Sequence, residues 1–177
     1  MKSDNKLSKY LSYILRHNPD SIGLELDKNG WADIDELIKK TTNFSLNRFN
    51  IDLTVQTNDK QRFSISEDGL KIRANQGHTI EVDLGLSSIK PPSVLYHGTA
   101  SRFIDSIIRE GLTKQKRHHV HLTESLEIAS SVGNRYGKLV LLSIFTNEMI
   151  NDGYIFFKTV NNVWLVDNVP FKYLVKL

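Results

Sequence analysis

Residues 62–74 read Arg62-Phe63-Ser64-Ile65-Ser66-Glu67-Asp68-Gly69-Leu70-Lys71-Ile72-Arg73-Ala74, and the hydrophobic period in this run is two. Two alternating segments joined by the turn-forming Glu67-Asp68-Gly69 predict a β-hairpin. Side chains on a strand point alternately to its two faces, so Phe63 and Ile65 should meet a core. Arg62 then lies on the opposite face, available to a ligand or to water.

The residues before the hairpin follow a helical period instead. Leu7, Leu11, Ile14 and Leu15 mark a first helix, with Asp4 as its expected N-cap and Pro19 discouraging continuation past Asn18. Arg16 and His17 fall in its last turn, where cations complement the helix dipole whether or not they have a further use. After the turn at Asn29-Gly30, Asp33 and Glu36 have the spacing of a capping box ahead of the apolar Ile34, Leu37 and Ile38. A third helix is expected from Ser45 to about Val55 through Leu46, Phe49 and Leu53. Three helices and then a hairpin predict a winged helix, an architecture common in nucleic-acid binding.

Gln76-Gly77-His78-Thr79 closes this half. The stretch from Leu86 to Ser93, with Ser87-Ser88 and Pro91-Pro92, predicts a linker and divides the chain into lobes at 1–88 and 89–177. The second lobe opens on a short strand, Val94-Leu95-Tyr96, expected to run into a turn at His97-Gly98-Thr99. Gly98 would let backbone approach a ligand closely, and Thr99 or Ser101 could cap the helix carrying Phe103, Ile104, Ile107 and Ile108. Strand, glycine turn and helix N-terminus could together cradle a pyrophosphate, although the same residues also make plain turns.

Gly111 to Leu122 crowds Lys114, Lys116, Arg117, His118, His119 and His121 into one segment. The alternation His119-Val120-His121-Leu122 puts two histidines on one strand face and two apolar residues on the other. A cationic loop entering a half-buried strand suits an anionic ligand, and it is equally the pattern of a solvated basic turn. Thr123 is expected to cap a helix running to about Val132 and ending at Gly133. Strands are expected at Leu139 to Phe145, Tyr154 to Lys158, Val163 to Val166 and Phe171 to Val175, making this half α+β and mostly antiparallel.

Composition narrows the chemistry. A chain of 177 residues can bury a sizeable core without covalent staples. It has no cysteine, which excludes disulfides and thiolate metal sites and leads us to expect a reducing, cytoplasmic setting. The N-terminus lacks an apolar signal region and no run is long enough to span a bilayer, so no membrane role is expected. A net charge of +3 permits contact with nucleic acid without demanding it. Neither a serine-nucleophile elbow nor a Walker loop is present, and no carboxylate pair stands out. A metal site is disfavoured as well, because His118 points away from His119 and His121 and no HExxH spacing occurs. Arg16, Arg62 and Arg117 with His17 could instead hold a phosphate by bidentate contacts and stabilise charge as it moves.

Seven segments carry a resemblance: LSKYLSYILRHNP from Leu7, KQRFSI from Lys60, IRANQGHTIEVD from Ile72, LYHGT from Leu95, Arg117 with HVHL, VGNRYGK from Val132 and NNVWL from Asn161. In this order, spanning nearly the whole chain, they resemble the RNA 2′-phosphotransferases, also called tRNA 2′-phosphotransferases, which use NAD to remove an internal 2′-phosphate from RNA. The resemblance implies an α+β fold in which a winged-helix lobe precedes an ADP-ribosyltransferase-like lobe, with substrates between them. It implies a catalytic set at Arg16, His17, Arg62 and Arg117. NAD, as co-substrate and with no metal, would meet His97, Gly98, Thr99, Ser101, Gly111, Leu112, His119, Val120 and His121. A tRNA-like RNA of the kind met in tRNA splicing would meet Gln76, His78 and Lys116, and a monomer is expected.

The chain departs from that family pattern at three positions. Thr79 stands where Ser is usual, Thr123 where Ser is common, and Asn162 where Gly often precedes VWL. The threonines keep a hydroxyl, and Asn tolerates the positive φ that Gly would supply. Two other readings stay open. A mono-ADP-ribosyltransferase acting on protein or on nucleic-acid terminal phosphates would need the second lobe but not Arg16 or Arg62. A non-catalytic winged-helix protein would use those two arginines only to position phosphates.

Overall fold

The computed structural model describes the backbone of residues 2–43 and 45–177, and the side chains of residues 6–43 and 45–177. The chain divides into two compact units, Met1–Gly85 and Leu86–Leu177. Each mixes helices with antiparallel strands.

The first unit contains α1 (Lys2–Arg16), β1 (Ala32–Asp33), α2 (Ile34–Lys40), α3 (Arg48–Gln56), β2 (Phe63–Ile65) and β3 (Lys71–Ala74). Its sheet has the order β1-β3-β2. The apolar stripe of α1, with Leu11, Ile14 and Leu15 buried, packs in one cluster with Ile34, Leu37, Ile51, Phe63 and Ile72. Helix α1 begins before Asp4, so that residue is not its N-cap, and the Asp4 side chain lies outside the described residues. Asp33 does cap α2, its carboxylate accepting from the Glu36 N–H at 2.9 Å.

Helix α3 starts later than the hydrophobic spacing predicts. Asn47 and Asn50 cap each other reciprocally, at 2.9 and 3.0 Å, and that pair sets the start. Leu46 is buried ahead of the helix, Ile51 and Thr54 face the core, and Phe49 stands 75% exposed. The expected hairpin forms, pairing Phe63 with Ala74, Ser64 with Arg73 and Ile65 with Ile72. Strand β1 went unpredicted, since two residues are too few to display a period.

The second unit contains β4 (Val94–Ala100), α4 (Ile104–Glu110), β5 (Leu112–Thr113), β6 (Val120–Leu122), α5 (Leu126–Gly133), β7 (Leu139–Phe145), α6 (Thr146–Asn151), β8 (Phe157–Lys158), β9 (Trp164–Val166), β10 (Asn168–Val169) and β11 (Leu174–Lys176). Its sheets run β11-β7-β4, β6-β9-β8 and β10-β5. Tyr96 and Thr123 exchange main-chain hydrogen bonds of 2.7 and 3.0 Å, which ties β4 to the start of the segment after β6. The segment before β4 belongs to the same unit, Ile89 N–H donating to the Phe156 carbonyl at 2.9 Å.

Several local expectations need correction here. His97-Gly98-Thr99 is not a turn: β4 continues through Ala100, paired along its length with β7. Gly98 serves close packing within the protein, because a Cβ there would sit 1.7 Å from the Ala129 carbonyl oxygen on α5. Neither Thr99 nor Ser101 caps α4; a 3-10 turn at Ser101–Phe103 intervenes, and the strand-turn-helix cradle does not form. Ser125, rather than Thr123, caps α5 by accepting from the Ile128 N–H at 3.2 Å. The expected strand from Tyr154 shortens to Phe157–Lys158, and Phe171–Tyr173 forms a 3-10 turn before β11. Asn162 does adopt a φ of 60°. Among the described residues, no helix is long and apolar enough to cross a membrane.

Candidate functional site

In the first unit the end of α1 is tied to the loop after β3. The Arg16 carbonyl accepts from the Thr79 N–H at 2.9 Å, and the Thr79 hydroxyl lies 3.0 Å from His17 Nδ1. The Arg16 guanidinium runs alongside Gly77, whose φ is +85°, and a Cβ at that position would be 3.6 Å from Nη1. Gly77 is therefore needed for its left-handed backbone, since a Cβ beside the arginine would be in ordinary contact only. His17 is exposed and Gln76 half-buried, whereas His78 is 3% exposed, a core neighbour of Gly30 rather than a surface contact.

Arg62 is held against α1. Its Nη1 lies 3.4 Å from Ser8 Oγ and 3.5 Å from Asn58 Oδ1, while Asn58 also donates to Ser8 at 3.0 Å and accepts from the Arg62 N–H at 3.1 Å. Ser8 and Arg16 are eight residues apart on one helix face, about 12 Å along the axis. One face of α1 thus presents both cations. Sequence reasoning picked out the two arginines but missed Ser8 and Thr79, whose partners lie 54 and 62 residues away, and Asn58, which lies 4 residues from Arg62 in a turn with no period to read.

In the second unit the histidines of β4 and β6 are coupled. His97 Nδ1 donates to the His121 carbonyl at 3.1 Å, and the Arg117 guanidinium meets His121 Nδ1 at 3.2 Å. Each contact assigns a tautomer: His97 keeps Nε2 as a bare acceptor, and His121, accepting at Nδ1, carries its proton on Nε2. Burial pushes the His97 pKa down, the Arg117 charge pushes the same way, and the bond to His121 opposes both. His97 is neutral at pH 7.

The burial pattern of β6 follows the predicted alternation, with Val120 and Leu122 in the core and His121 half-buried. His119 lies edge-on to Phe157 at 5.7 Å, and its pKa is lowered by burial and then by the His118 charge, against Asp167. Asp167 in turn pairs with Lys114 at 2.6 Å. Arg117 has no carboxylate partner among the described residues, and Lys116 is exposed. No group of three metal-ligating side chains gathers among the described residues.

The remaining expected positions are explained by packing. Gly111 has a φ of +74° and would carry a Cβ 2.2 Å from the Val169 carbonyl, Leu112 is in the core opposite Val169, and Thr99 is buried in β4 opposite Val140. Ser101 is exposed, its N–H donating to the Lys138 carbonyl at 2.8 Å. Glu124 was not anticipated: its carboxylate accepts from Trp164 Nε1 at 2.7 Å and Lys158 Nζ at 2.9 Å, fastening the loop after β6 to β8 and β9.

Comparison with known proteins gives concordant results. The family model described as RNA 2′-phosphotransferase, Tpt1 / KptA family, matches residues 2–168. A protein of Acaryochloris marina named probable RNA 2′-phosphotransferase is 51% identical over 173 residues, covering 97% of this chain and 96% of its own length. A protein of Flavobacterium johnsoniae with the same name is 49% identical over 171 residues, 95% of this chain and 93% of the relative. One from Pseudomonas syringae pv. tomato, again so named, is 49% identical over 179 residues, 99% of this chain and 96% of the relative.

Proposed function

Since the chain belongs to the RNA 2′-phosphotransferase family and is a transferase, we propose that it removes an internal RNA 2′-phosphate by transferring it to the ADP-ribose part of NAD. The supporting observation is the Arg117–His121–His97 chain, a cation and two neutral imidazoles of assigned tautomer, in a sequence matched to that family over nearly its whole length.

The residues suit a dinucleotide. Neutral His97 offers an acceptor to a ribose hydroxyl, and Lys114, Lys116 and Arg117 offer charge to a pyrophosphate. In the first step a 2′-phosphate oxygen attacks ribose C1″ and the bond to nicotinamide breaks. Nicotinamide leaves with the electron pair. A phosphomonoester has a second pKa of about 6, so it is already anionic and needs no general base. In the second step the ribose 2″-hydroxyl attacks phosphorus and the RNA 2′-oxygen leaves as a hydroxyl. The products are RNA with a free 2′-hydroxyl and ADP-ribose 1″,2″-cyclic phosphate.

We assign Arg16, Arg62 and Arg117 to the phosphoryl oxygens, where negative charge builds in the second step. His17, its Nδ1 held by Thr79, is assigned to the departing RNA oxygen. The first unit is read as a winged-helix RNA-binding lobe and the second as an ADP-ribosyltransferase-like lobe, in a cytoplasmic monomer.

The test is a 2′-phosphorylated oligonucleotide incubated with and without NAD. Conversion to the 2′-hydroxyl form only with NAD, together with a cyclic phosphate product, is expected. Phosphate release without NAD would overturn the reading, and a stable ADP-ribosylated adduct with no onward conversion would favour a mono-ADP-ribosyltransferase.

A further inference from the structure

One face of the first unit's sheet carries side chains that neither the core nor the assigned chemistry uses. Register places them. Ser64 pairs with Arg73 across β2 and β3, and the pairing of Ala32 with Ile72 and Asp33 with Lys71 brings Trp31, just before β1, beside Arg73. Phe63, Ile72 and Ala74 face the core, so Ser64, Lys71, Arg73 and Trp31 share the other face.

The Arg73 guanidinium lies over the Trp31 ring, 4.5 Å from its centroid. Its hydrogen bonding is one long contact, Nη1 to the Asn29 carbonyl at 3.5 Å, and its buried Nε has no partner among the described residues. Asp27, the nearby carboxylate, is already satisfied by the N–H groups of Asn29 and Trp31, each at 3.0 Å, and by Lys71 Nζ at 3.4 Å. Both Trp31 and Arg73 are half-buried, leaving part of each open to solvent.

A guanidinium laid on an indole and poorly satisfied by the protein has the attributes of a nucleobase platform. Its face stacks on a base and its remaining donors reach a phosphate oxygen or a base edge. Arg62 precedes Ser64 by two residues, about 7 Å along the chain. The Arg62 carbonyl also accepts from the Asn75 N–H at 2.8 Å, so the arginine assigned to the 2′-phosphate is bonded to the end of the strand that carries Arg73.

We propose that Trp31 and Arg73 bind the single-stranded RNA next to the 2′-phosphorylated nucleotide, one base stacking on the pair. The inference rests on the reading of this chain as an enzyme acting on RNA.

The direct test follows tryptophan emission of the full chain as a single-stranded oligoribonucleotide lacking any 2′-phosphate is added without NAD. The chain has 2 tryptophans, and Trp164 is buried at 3% exposure. Saturable quenching is expected, weakened by salt and absent in Trp31→Phe. Affinity should fall about tenfold in Arg73→Gln and less in Arg73→Lys. Emission unchanged by saturating RNA, or quenching that survives Trp31→Phe, overturns the proposal.

A kinetic comparison separates RNA contact from a purely structural staple. Arg73→Gln should raise KM for a long 2′-phosphorylated oligonucleotide while leaving a 2′-phosphorylated dinucleotide unaffected. Equal loss on both substrates overturns the proposal. If RNA quenches Trp31 yet the unmodified protein converts neither substrate, the phosphotransferase reading fails and the RNA platform stands.

Discussion

The Nδ1 proton of His97 is bonded to the main-chain carbonyl of His121, 3.1 Å away. That bond joins β4 to β6, and burial, against the bond's own pull, lowers the His97 pKa from 6.5 and keeps the ring neutral. The unfolded chain therefore binds a proton at His97 more readily than the folded one, and stability must fall as pH drops below about 6.5. His119, also lowered, acts in the same direction. Urea midpoints between pH 8 and 5 should decline more steeply for the unmodified protein than for His97→Gln, whose amide can keep the bond to His121. Parallel curves would remove His97 as the cause.

Arg117 stands beside His121 with no carboxylate partner among the described residues. Arg117→Ala should leave the circular dichroism spectrum and melting temperature nearly unchanged, since the side chain is exposed. Turnover of a 2′-phosphorylated oligonucleotide should drop by about a hundredfold or more. Arg117→Lys should recover little, because a point charge does not reproduce a planar fork. An active Arg117→Ala protein would refute the assignment.

Arg62 and Arg117 are expected to fail at different stages. With Arg62→Ala, nicotinamide release should continue while ADP-ribosylated RNA accumulates, detectable as a slower-migrating oligonucleotide in a denaturing gel. Loss of nicotinamide release to the same extent as product formation would place Arg62 in the first step instead.

Thr79 positions His17 through a 3.0 Å contact. Thr79→Ala should reduce kcat by about tenfold or more with little change in KM for NAD, and Thr79→Ser should restore it. A hydroxyl matters at this position, and its methyl group does not; failure of Ser to rescue would show that packing is the cause.

Gly98 and Gly133 face each other's elements at van der Waals limits. A Cβ at Gly98 would be 1.7 Å from Ala129 O, and one at Gly133 would be 2.5 Å from Leu139 Cδ1 and 2.9 Å from the Thr99 main chain. The backbone cannot yield without moving α5 off β4. Gly98→Ala should cost about 3 kcal/mol or more in urea unfolding, and Gly133→Ala somewhat less because its main-chain contacts are longer.

Legibility differed with the range of the interaction concerned. The helix α1, the Asp33 cap, the presence of the hairpin and the inside-outside order of Val120, His121 and Leu122 were all readable, since each follows from side-chain periodicity or a cap within a few residues. The start of α3 was misread because Leu46, Phe49 and Leu53 happen to repeat at helical spacing while the Asn47–Asn50 cap sets the boundary. His97-Gly98-Thr99 was misread as a turn because a glycine inside a strand resembles a breaker until the helix that needs it is present.

The amino-acid order by itself determined the alternation of helix and strand, the chemical character of Arg16, His17, Arg62 and Arg117, and the family. It could not say that Ser8 and Asn58 steady Arg62, that Thr79 faces His17, or that Trp31 lies under Arg73. Apart from Asn58 and Arg62, which are 4 positions apart, those pairings join residues 42 to 62 positions apart. Local propensity decays within a turn or two, and only the packing of helices and strands around one core brings such distant side chains into contact.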